Sequence, residues 1–225
     1  MTFRNRLQYL LVKRLQISNK MALSLIQSGE IIVNGVMVNE NIIIEMEDEV
    51  IYNHSIIKEG KKMIYLAFYK ARGIETTLNT DIPDNLKALL PFEDIFPVGR
   101  LDKESEGLLL LTNDGRLFDK TLRKEHQTEK EYLVTVDKVI DEEFITRMSG
   151  GIKIMGKTTL PCQVEKINDF TFKIILVQGL NRQIRRMCYQ LHYEVLELIR
   201  IRIGNVTLGD LQTNEYRILD RNYEL

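Results

Sequence analysis

Four consecutive leucines, Leu108–Leu111, follow directly on a segment rich in turn-forming residues, Gly99–Gly107. A short apolar run bounded by turn residues is typical of a buried strand. The preceding residues, Asp94–Val98, predict a further strand. We therefore expect Asp102 to lie in a turn between two strands, at the edge of a hydrophobic core, and this constrains the fold more than any other part of the chain.

The composition indicates a globular protein with ample material for a core. The chain has 225 residues, enough for one large domain and a small one, and 44% of them are apolar. No apolar run approaches the roughly 18 residues that a membrane span needs, and the N-terminus does not resemble a secretory signal. Two cysteines are too few for a disulfide framework. We expect a soluble, cytoplasmic protein without membrane association.

The charge pattern leaves nucleic-acid binding open. The formal net charge of −1 is not that of a strongly basic nucleic-acid binder. Basic residues nevertheless cluster in residues 1–20 and 181–186, two segments without any acidic residue. Such a stripe can follow a phosphate backbone, although a solvated helix face is an equally good interpretation of either cluster alone.

The first 60 residues predict a small module of two helices and a hairpin. Leucine and valine recur at helical spacing from Leu7 to Leu15, and Ser18 is suited to cap a second helix. In that second helix we expect inward-facing apolar residues, namely Met21, Ala22, Leu25 and Ile26. Asn34-Gly35 between two β-branched runs is a strong hairpin signal, because both residues tolerate positive φ.

Two helices followed by the segment SGEIIVNGVMVNE resemble the S4 RNA-binding domain. The resemblance implies RNA contact through both helices and the hairpin. The matching residues are Arg4, Arg6, Lys13, Arg14, Lys20 and Asn34. A hydrophilic joint at Lys58–Lys62 separates this module from the rest, which predicts domains at residues 1–60 and 61–225.

The remaining residues predict an α+β domain. Strands and helices are mixed without regular βαβ alternation, which favours a mixed, largely antiparallel sheet with flanking helices. The predicted strands are Met63–Tyr69, Glu129–Val136, Gln163–Ile167, Thr171–Val177 and Glu194–Ile203. The predicted helices are Asp84–Leu90, residues 116–122, Asp141–Met148 and Asn181–Leu191.

Three segments occur in the order found in a known enzyme family. They are GRLDKESEGLLLLTNDG around Asp102, KEYLV with Tyr132, and GLNRQIRRM with Arg185. Together with the N-terminal module they resemble the S4-domain branch of the RNA pseudouridine synthases, which includes small-subunit synthase A and large-subunit synthases B, E and F. The segment YEVLELIRIRIGNVTL is most similar to the synthase F branch.

The resemblance implies site-specific isomerisation of uridine to pseudouridine in ribosomal RNA. It favours 23S rRNA, with a transfer RNA as a second candidate substrate. The reaction breaks the bond between ribose C1′ and base N1 and joins C1′ to C5, so no cofactor or metal is expected. The resemblance requires no obligate protein partner and is compatible with a monomer.

The resemblance also implies the roles of individual residues. Asp102 corresponds to the catalytic carboxylate, Arg185 to the cation that accompanies it, and Tyr132 to the aromatic residue that stacks on the target base and helps to remove the C5 proton. Arg100 resembles the residue that fills the space vacated by the base. We expect RNA contacts from Arg100, Lys103, Arg182 and Arg186.

Alternatives remain at this point. A 16S rRNA synthase would differ little in sequence, and a non-catalytic S4-type RNA-binding or ribosome-assembly factor would keep the basic clusters. Taken alone, Asp102 reads as a turn residue and Tyr132 as a core residue. Cys188 and His192 have the i, i+4 spacing of metal ligands, but a buried thiol beside a surface histidine is the better interpretation.

Overall fold

The computed structural model describes residues 5–117 and 128–220. The chain divides into two compact units, Met1–Met63 and Ile64–Leu225. Arg4 and most of the helix predicted over residues 116–122 lie outside the described residues. Among the residues described, no helix combines the length and apolar character that a membrane span requires.

The first unit contains two helices and an antiparallel four-stranded sheet in the order β2-β1-β3-β4. Its elements are α1 (Leu7–Leu15), α2 (Asn19–Gln27), β1 (Ile31–Val33), β2 (Val36–Val38), β3 (Val50–Tyr52) and β4 (Ser55–Lys58). Both helices pack on the sheet through buried Leu7, Leu11, Ala22, Ile26 and Ile31. The predicted helix–helix–hairpin order is present.

Local chemistry explains how these elements begin and turn. The Ser18 hydroxyl accepts a hydrogen bond from the Met21 backbone N–H at 3.2 Å, as expected of an N-cap. Asn34 and Gly35 have φ of 52° and 78° and connect β1 to β2 in a two-residue turn. One expectation was wrong: the Met21 side chain is 56% exposed, because it lies in the first turn of α2, away from the helix face that meets the sheet.

The second unit is built on a nine-stranded mixed sheet in the order β11-β12-β8-β13-β7-β5-β15, with β14 paired to β13 and β6 to β7. The central strands are β5 (Tyr65–Lys70), β7 (Glu106–Thr112), β8 (Lys130–Val136) and β13 (Val195–Ile203). The others are β6 (Phe96–Val98), β11 (Gln163–Lys166), β12 (Thr171–Leu176), β14 (Val206–Thr207) and β15 (Tyr216–Ile218). A separate hairpin is formed by β9 (Lys153–Ile154) and β10 (Lys157–Thr158).

The helices of this unit are α3 (Glu142–Gly150), α4 (Gln183–Gln190) and a short 3₁₀ helix (Leu86–Leu89). The last of these replaces the α-helix predicted over Asp84–Leu90. Asn85 caps it by accepting a hydrogen bond from Ala88 N–H, and Leu90 is already in extended backbone. A residue that precedes a proline, here Pro91, is driven out of the helical region, and this limits the element to one turn.

The sheet pairing is antiparallel except between β13 and β7, which run parallel. Two buried clusters cover one face of the sheet. One cluster involves β8, β12, β13, α3 and α4, and includes Val134, Phe172, Ile184, Met187 and Leu198. The other involves β5 and β7 with the 3₁₀ helix, and includes Leu66, Phe68, Leu86, Leu109 and Leu111. The predicted mixed, largely antiparallel sheet with flanking helices is confirmed.

Candidate active site

A row of registered residues crosses the sheet between the two core clusters. Lys70 on β5 pairs with Gly107 on β7, Gly107 pairs with Arg200 on β13, and Arg200 pairs with Tyr132 on β8. Paired residues project from the same face of a sheet. The row therefore combines two cations and an aromatic ring, and at its middle Gly107 lets the backbones of β7 and β13 approach closely.

The loop that carries Asp102, residues 99–105, connects β6 to β7 and is fastened by backbone hydrogen bonds. The buried Thr76 hydroxyl donates to the Leu101 carbonyl at 2.7 Å and accepts from the Leu101 N–H at 3.3 Å. Gly73 N–H donates to the Lys103 carbonyl at 2.7 Å. The loop is therefore fixed on both sides of Asp102.

Two buried cations of the sheet order this region, Arg200 by contacting the loop and Lys70 by contacting the neighbouring residues 71–74. The Arg200 side chain donates from Nε to the Leu108 carbonyl at 2.7 Å and from Nη1 to the Arg100 carbonyl at 3.4 Å. Lys70 is fully buried and donates to the carbonyls of Ala71 and Ile74, both at 2.8 Å. Burial lowers the pKa of Lys70 to about 8, although the nearby Glu75, Glu106 and Asp102 carboxylates oppose this shift.

The guanidinium of Arg185 holds the other end of the loop. Nη2 donates to the Glu104 carbonyl at 2.9 Å and Nη1 donates to the Val195 carbonyl at 3.0 Å. Arg185 reaches the loop because α4 buries Ile184 and Met187 in the core and leaves Arg185 to face residues 104 and 105. Burial lowers the pKa of Arg185, while the Glu104 and Asp102 charges raise it.

The Asp102 carboxylate itself is left available. In the part of the chain that the structure describes, it accepts no hydrogen bond and no Lys or Arg nitrogen lies within 4.0 Å of it. Its charge nevertheless acts to raise the pKa of Arg185 and of Lys70. A half-exposed carboxylate held in place by its backbone, with cations around it, can interact with a bound molecule without first breaking an internal bond.

Tyr132 lies on β8, paired with Arg200 of β13. Its ring packs partly against the buried cluster of α3 and α4, and the side chain is only half-buried. Within residues 5–117 and 128–220, its hydroxyl has no hydrogen-bond partner. The ring therefore offers an accessible π face and a free phenol on the face of the sheet that carries Arg200.

The remaining basic residues predicted near the site lie around the loop. Arg182 forms a 2.6 Å ion pair with Glu104 and lowers the pKa of that carboxyl by hydrogen bonding to it. Arg100 pairs with Glu75 at 3.0 Å, and Lys103 pairs with Asp84 at 3.3 Å. Arg186 points away from the loop and donates to Asn181. Arg182 and Arg185 thus both approach the Glu104 carboxylate, Arg185 with its Nε at 3.9 Å.

The predicted RNA-contacting residues of the first unit divide into two groups. Arg6 donates to the Asn41 carbonyl at 2.8 Å, and Asn34 exchanges hydrogen bonds with Asp48 and Glu49, so both also have internal structural partners. Lys13 lies 5.8 Å from the centroid of the Tyr9 ring. Arg14 and Lys20 are exposed, and neither makes an ion pair among the described residues.

Lys70 and Arg200 were not predicted as site residues. A signal was present, since Lys70 ends the mainly apolar strand YLAFYK and Arg200 lies between two isoleucines in VLELIRIRI. Burying a charge at such a position costs free energy unless the charge has a specific partner.

The i, i+4 pair of a cysteine and a histidine was also considered as a metal site. Cys188 is buried and His192 exposed, and no group of three or more metal-ligand residues occurs in the described ranges.

The family model of the RNA pseudouridylate synthases matches residues 64–190, which include Asp102, Tyr132 and Arg185. The chain is 44% identical over 197 residues to the dual-specificity RNA pseudouridine synthase RluF of Escherichia coli K12, covering 86% of this chain and 68% of that protein. The chain belongs to the RNA pseudouridine synthase family. The reaction class predicted from the three sequence segments is therefore confirmed.

Further relatives agree with this assignment. An RNA pseudouridine synthase of Aquifex aeolicus is 32% identical over 220 residues, covering 95% of this chain and 92% of the relative. The ribosomal large subunit pseudouridine synthase B of Bacillus subtilis is 29% identical over 226 residues, covering 95% and 91%. A crystal structure of a pseudouridylate synthase superposes with a TM-score of 0.66 at 26% identity, covering 96% of each chain. The enzyme thus shares the family's fold as well as its sequence segments.

Proposed function

We propose that this RNA pseudouridine synthase modifies specific uridines of 23S ribosomal RNA, with a transfer RNA as its second candidate substrate. The observation that carries the proposal is the 44% identity to a synthase described as dual-specificity. Relatives named for the large ribosomal subunit, including synthase E of Vibrio parahaemolyticus at 34% identity over 146 residues, support the ribosomal target. The proposal includes a cytoplasmic enzyme that acts as a monomer.

In this proposal Asp102 acts at the junction of sugar and base. Its carboxylate stabilises or captures the electrophilic C1′ while the bond to N1 breaks. Arg185 and Lys70 place positive charge around that carboxylate, and Arg185 also holds the Glu104 carbonyl, so that the loop keeps its position when the base turns.

Tyr132 is proposed to stack on the target uracil and to assist loss of the C5 proton. The target nucleotide must leave its helix or loop to reach Asp102. Arg100, whose side chain is 70% exposed, is proposed to occupy the space left behind. Lys103, Arg182 and Arg186 are proposed to contact the phosphates that flank the target.

The first unit is proposed to be an S4-type RNA-binding domain. Its two helices and its hairpin have the order expected of that domain, and Arg14 and Lys20 present exposed charge on α1 and α2. Lys13, Arg6, Arg4 and Asn34 complete the proposed RNA-contacting face. This domain would select among RNA targets while residues 64–225 perform the isomerisation.

The decisive experiment measures tritium release from C5-labelled uridine in 23S, 16S and transfer RNA transcripts. Wild-type enzyme and the Asp102→Asn variant are compared, with Asp81→Asn as an exposed-carboxylate control. We expect release from 23S rRNA by wild type and by the control, and none by Asp102→Asn, whose RNA affinity stays within about threefold because the side chain has no internal partner to lose.

Each outcome of this experiment has a definite meaning. Release from 16S rRNA alone would replace the 23S assignment. Normal turnover by Asp102→Asn would refute the assigned role of that carboxylate. Binding without release from any of the three RNAs by wild type would favour an RNA-binding or assembly factor instead.

A further inference from the structure

Next to the Asp102 loop, the second unit contains a surface cavity of about 1050 Å³. Its lining includes Arg182, Arg185 and Arg186, to which the proposed function assigns roles, but neither Asp102 nor Tyr132. Arg72, Tyr189 and Met155 line the cavity as well, and the proposed function assigns no role to them. The cavity therefore adjoins the active site and extends beyond the residues assigned to it.

The cavity has the chemistry of a nucleotide site. Tyr189 is 76% exposed and Met155 is 64% exposed, so an aromatic and an apolar surface both face solvent. Exposed rings of this kind stack on nucleic-acid bases without sequence preference. Neither residue contributes to the buried core of the unit, and the fold gives no other reason for their position.

Two arginines of the cavity have no carboxylate partner. Arg72 donates to the Leu196 carbonyl at 3.1 Å, and Arg186 donates to the carbonyl and side chain of Asn181. In the described chain no carboxylate oxygen lies within 4.0 Å of either guanidinium. Backbone carbonyls thus orient both groups and leave their charge for an external anion, as a phosphate contact requires.

The carboxylates that line the cavity do not cancel this charge. Glu104 is paired with Arg182, and Asp137 accepts a hydrogen bond from the backbone N–H of Glu194 at 2.7 Å. Asp137 and Glu194 keep their charge, so three carboxylates line the cavity together with four arginines, namely Arg72, Arg182, Arg185 and Arg186. The cavity therefore retains a surplus of available positive charge.

Helix geometry connects the cavity to the reaction. Arg185 and Tyr189 are four residues apart on α4 and so lie on the same helix face, about 5–6 Å apart at their Cβ atoms. Arg185 and Tyr189 also line the same cavity, so an RNA strand bound at the Asp102 loop has a continuous surface toward Tyr189. Removing the uridine from its stack leaves a neighbouring base exposed on one side, and the Tyr189 ring offers that base a new stacking surface.

We infer that Tyr189, Arg186 and Arg72 form a second nucleotide subsite, which holds an unstacked nucleotide adjacent to the target uridine. This inference rests on the proposed action on RNA. The base stacks on Tyr189 beside Met155, and its phosphate is bound by Arg186 and Arg72.

The test uses a 23S rRNA fragment on which the wild-type enzyme releases tritium. Its affinity is measured for wild type, Tyr189→Ala, Tyr189→Phe and the control Phe170→Ala, which removes an exposed ring that does not line the cavity. We expect Tyr189→Ala to weaken binding about tenfold, Tyr189→Phe to stay within twofold because it retains the ring, and the control to match wild type.

A second measurement scans abasic sites over three nucleotides on each side of the target. At one position the abasic RNA should bind the wild type about tenfold more weakly than intact RNA does. Tyr189→Ala should bind that abasic RNA as tightly as it binds intact RNA, because the abasic site and the substitution remove the same contact. The inference would be overturned if Tyr189→Ala bound the RNA as tightly as wild type. It would also be overturned if, at every scanned nucleotide, the affinity losses from the abasic site and from Tyr189→Ala multiplied. If the wild type releases no tritium from any bound RNA, the proposed function fails, while the abasic scan of the bound fragment still tests this subsite.

Discussion

The backbone of Gly107 lies against that of Arg200 so closely that a Cβ atom on Gly107 would be 2.4 Å from the Arg200 carbonyl oxygen and 2.7 Å from its nitrogen. Gly107 also has φ of +101°, a conformation that other residues avoid. This contact joins β7 to β13 in the one parallel pairing described and places Arg200 under the Asp102 loop.

Replacing Gly107 by alanine should therefore strain both strands. We expect Gly107→Ala to lower the free energy of unfolding by about 3 kcal/mol, because a backbone clash and an unfavourable φ are combined. Urea denaturation measures this change. Gly150→Ala is the matched control, since a Cβ there would meet nothing within 4 Å, and it should leave stability unchanged or slightly higher. Equal stability of the two variants would contradict the close approach of these strands.

Arg185 should be irreplaceable by lysine. Arginine donates simultaneously to the carbonyls of Glu104 and Val195, whereas lysine is a point charge that cannot span both. We expect Arg185→Lys to reduce the turnover rate about tenfold to a hundredfold by misplacing the loop, while RNA affinity falls less than about threefold. Single-turnover kinetics and filter binding separate these effects. The surface variant Arg147→Lys is the control, and an unchanged rate for Arg185→Lys would show that the loop does not need this clamp.

Binding through the first unit should depend on salt. Arg14 and Lys20 are exposed and lack ion-pair partners in the described residues, so each is free to displace a counterion from RNA. We expect Arg14→Gln/Lys20→Gln to weaken binding and to lower the slope of log affinity against log salt by up to about two. The double variant Lys87→Gln/Arg147→Gln removes equal charge from the second unit. If both double variants keep the wild-type slope, the proposed face is not the one that meets RNA.

Acid stability should depend on Asp114, which follows β7. Burial alone would raise the pKa of this carboxyl, but hydrogen bonds from Arg116 and Tyr65 outweigh it and lower the pKa from 3.8 to about 2. A carboxyl with a depressed pKa stabilises the fold above its unfolded pKa, and this stabilisation disappears as the pH falls through the folded value.

We therefore expect Asp114 to contribute about 2 kcal/mol near pH 6, and this contribution to be lost between pH 4 and pH 2. The free energy of unfolding of Asp114→Asn, measured by urea denaturation at each pH, should decrease less over that range than that of the wild type. Asp84→Asn, which removes an exposed surface carboxylate, serves as the comparison. Parallel pH profiles for wild type and Asp114→Asn would contradict the stabilisation assigned to the hydrogen bonds from Arg116 and Tyr65.

Much of the local structure follows from short-range chemistry. The Ser18 cap, the Asn34-Gly35 turn and the buried Leu108–Leu111 strand were all predicted, and all three are found. These features depend on backbone preferences and on short runs of apolar residues, which act over a few positions and can be read along the chain. The prediction for Met21 was wrong because tertiary packing decides which face of α2 is buried. The helix predicted over Asp84–Leu90 was wrong for a local reason, since the residue before Pro91 leaves the helical region.

The reaction class could be predicted without the structure, because the segments around Asp102, Tyr132 and Arg185 occur in the family's order. Only the tertiary structure assigned Lys70 and Arg200 to the same row as Tyr132, and only it made Arg185 a clamp on the Glu104 carbonyl. These relationships join strands that are distant in the chain. Their register depends on the packing of the whole sheet, and no local pattern encodes it.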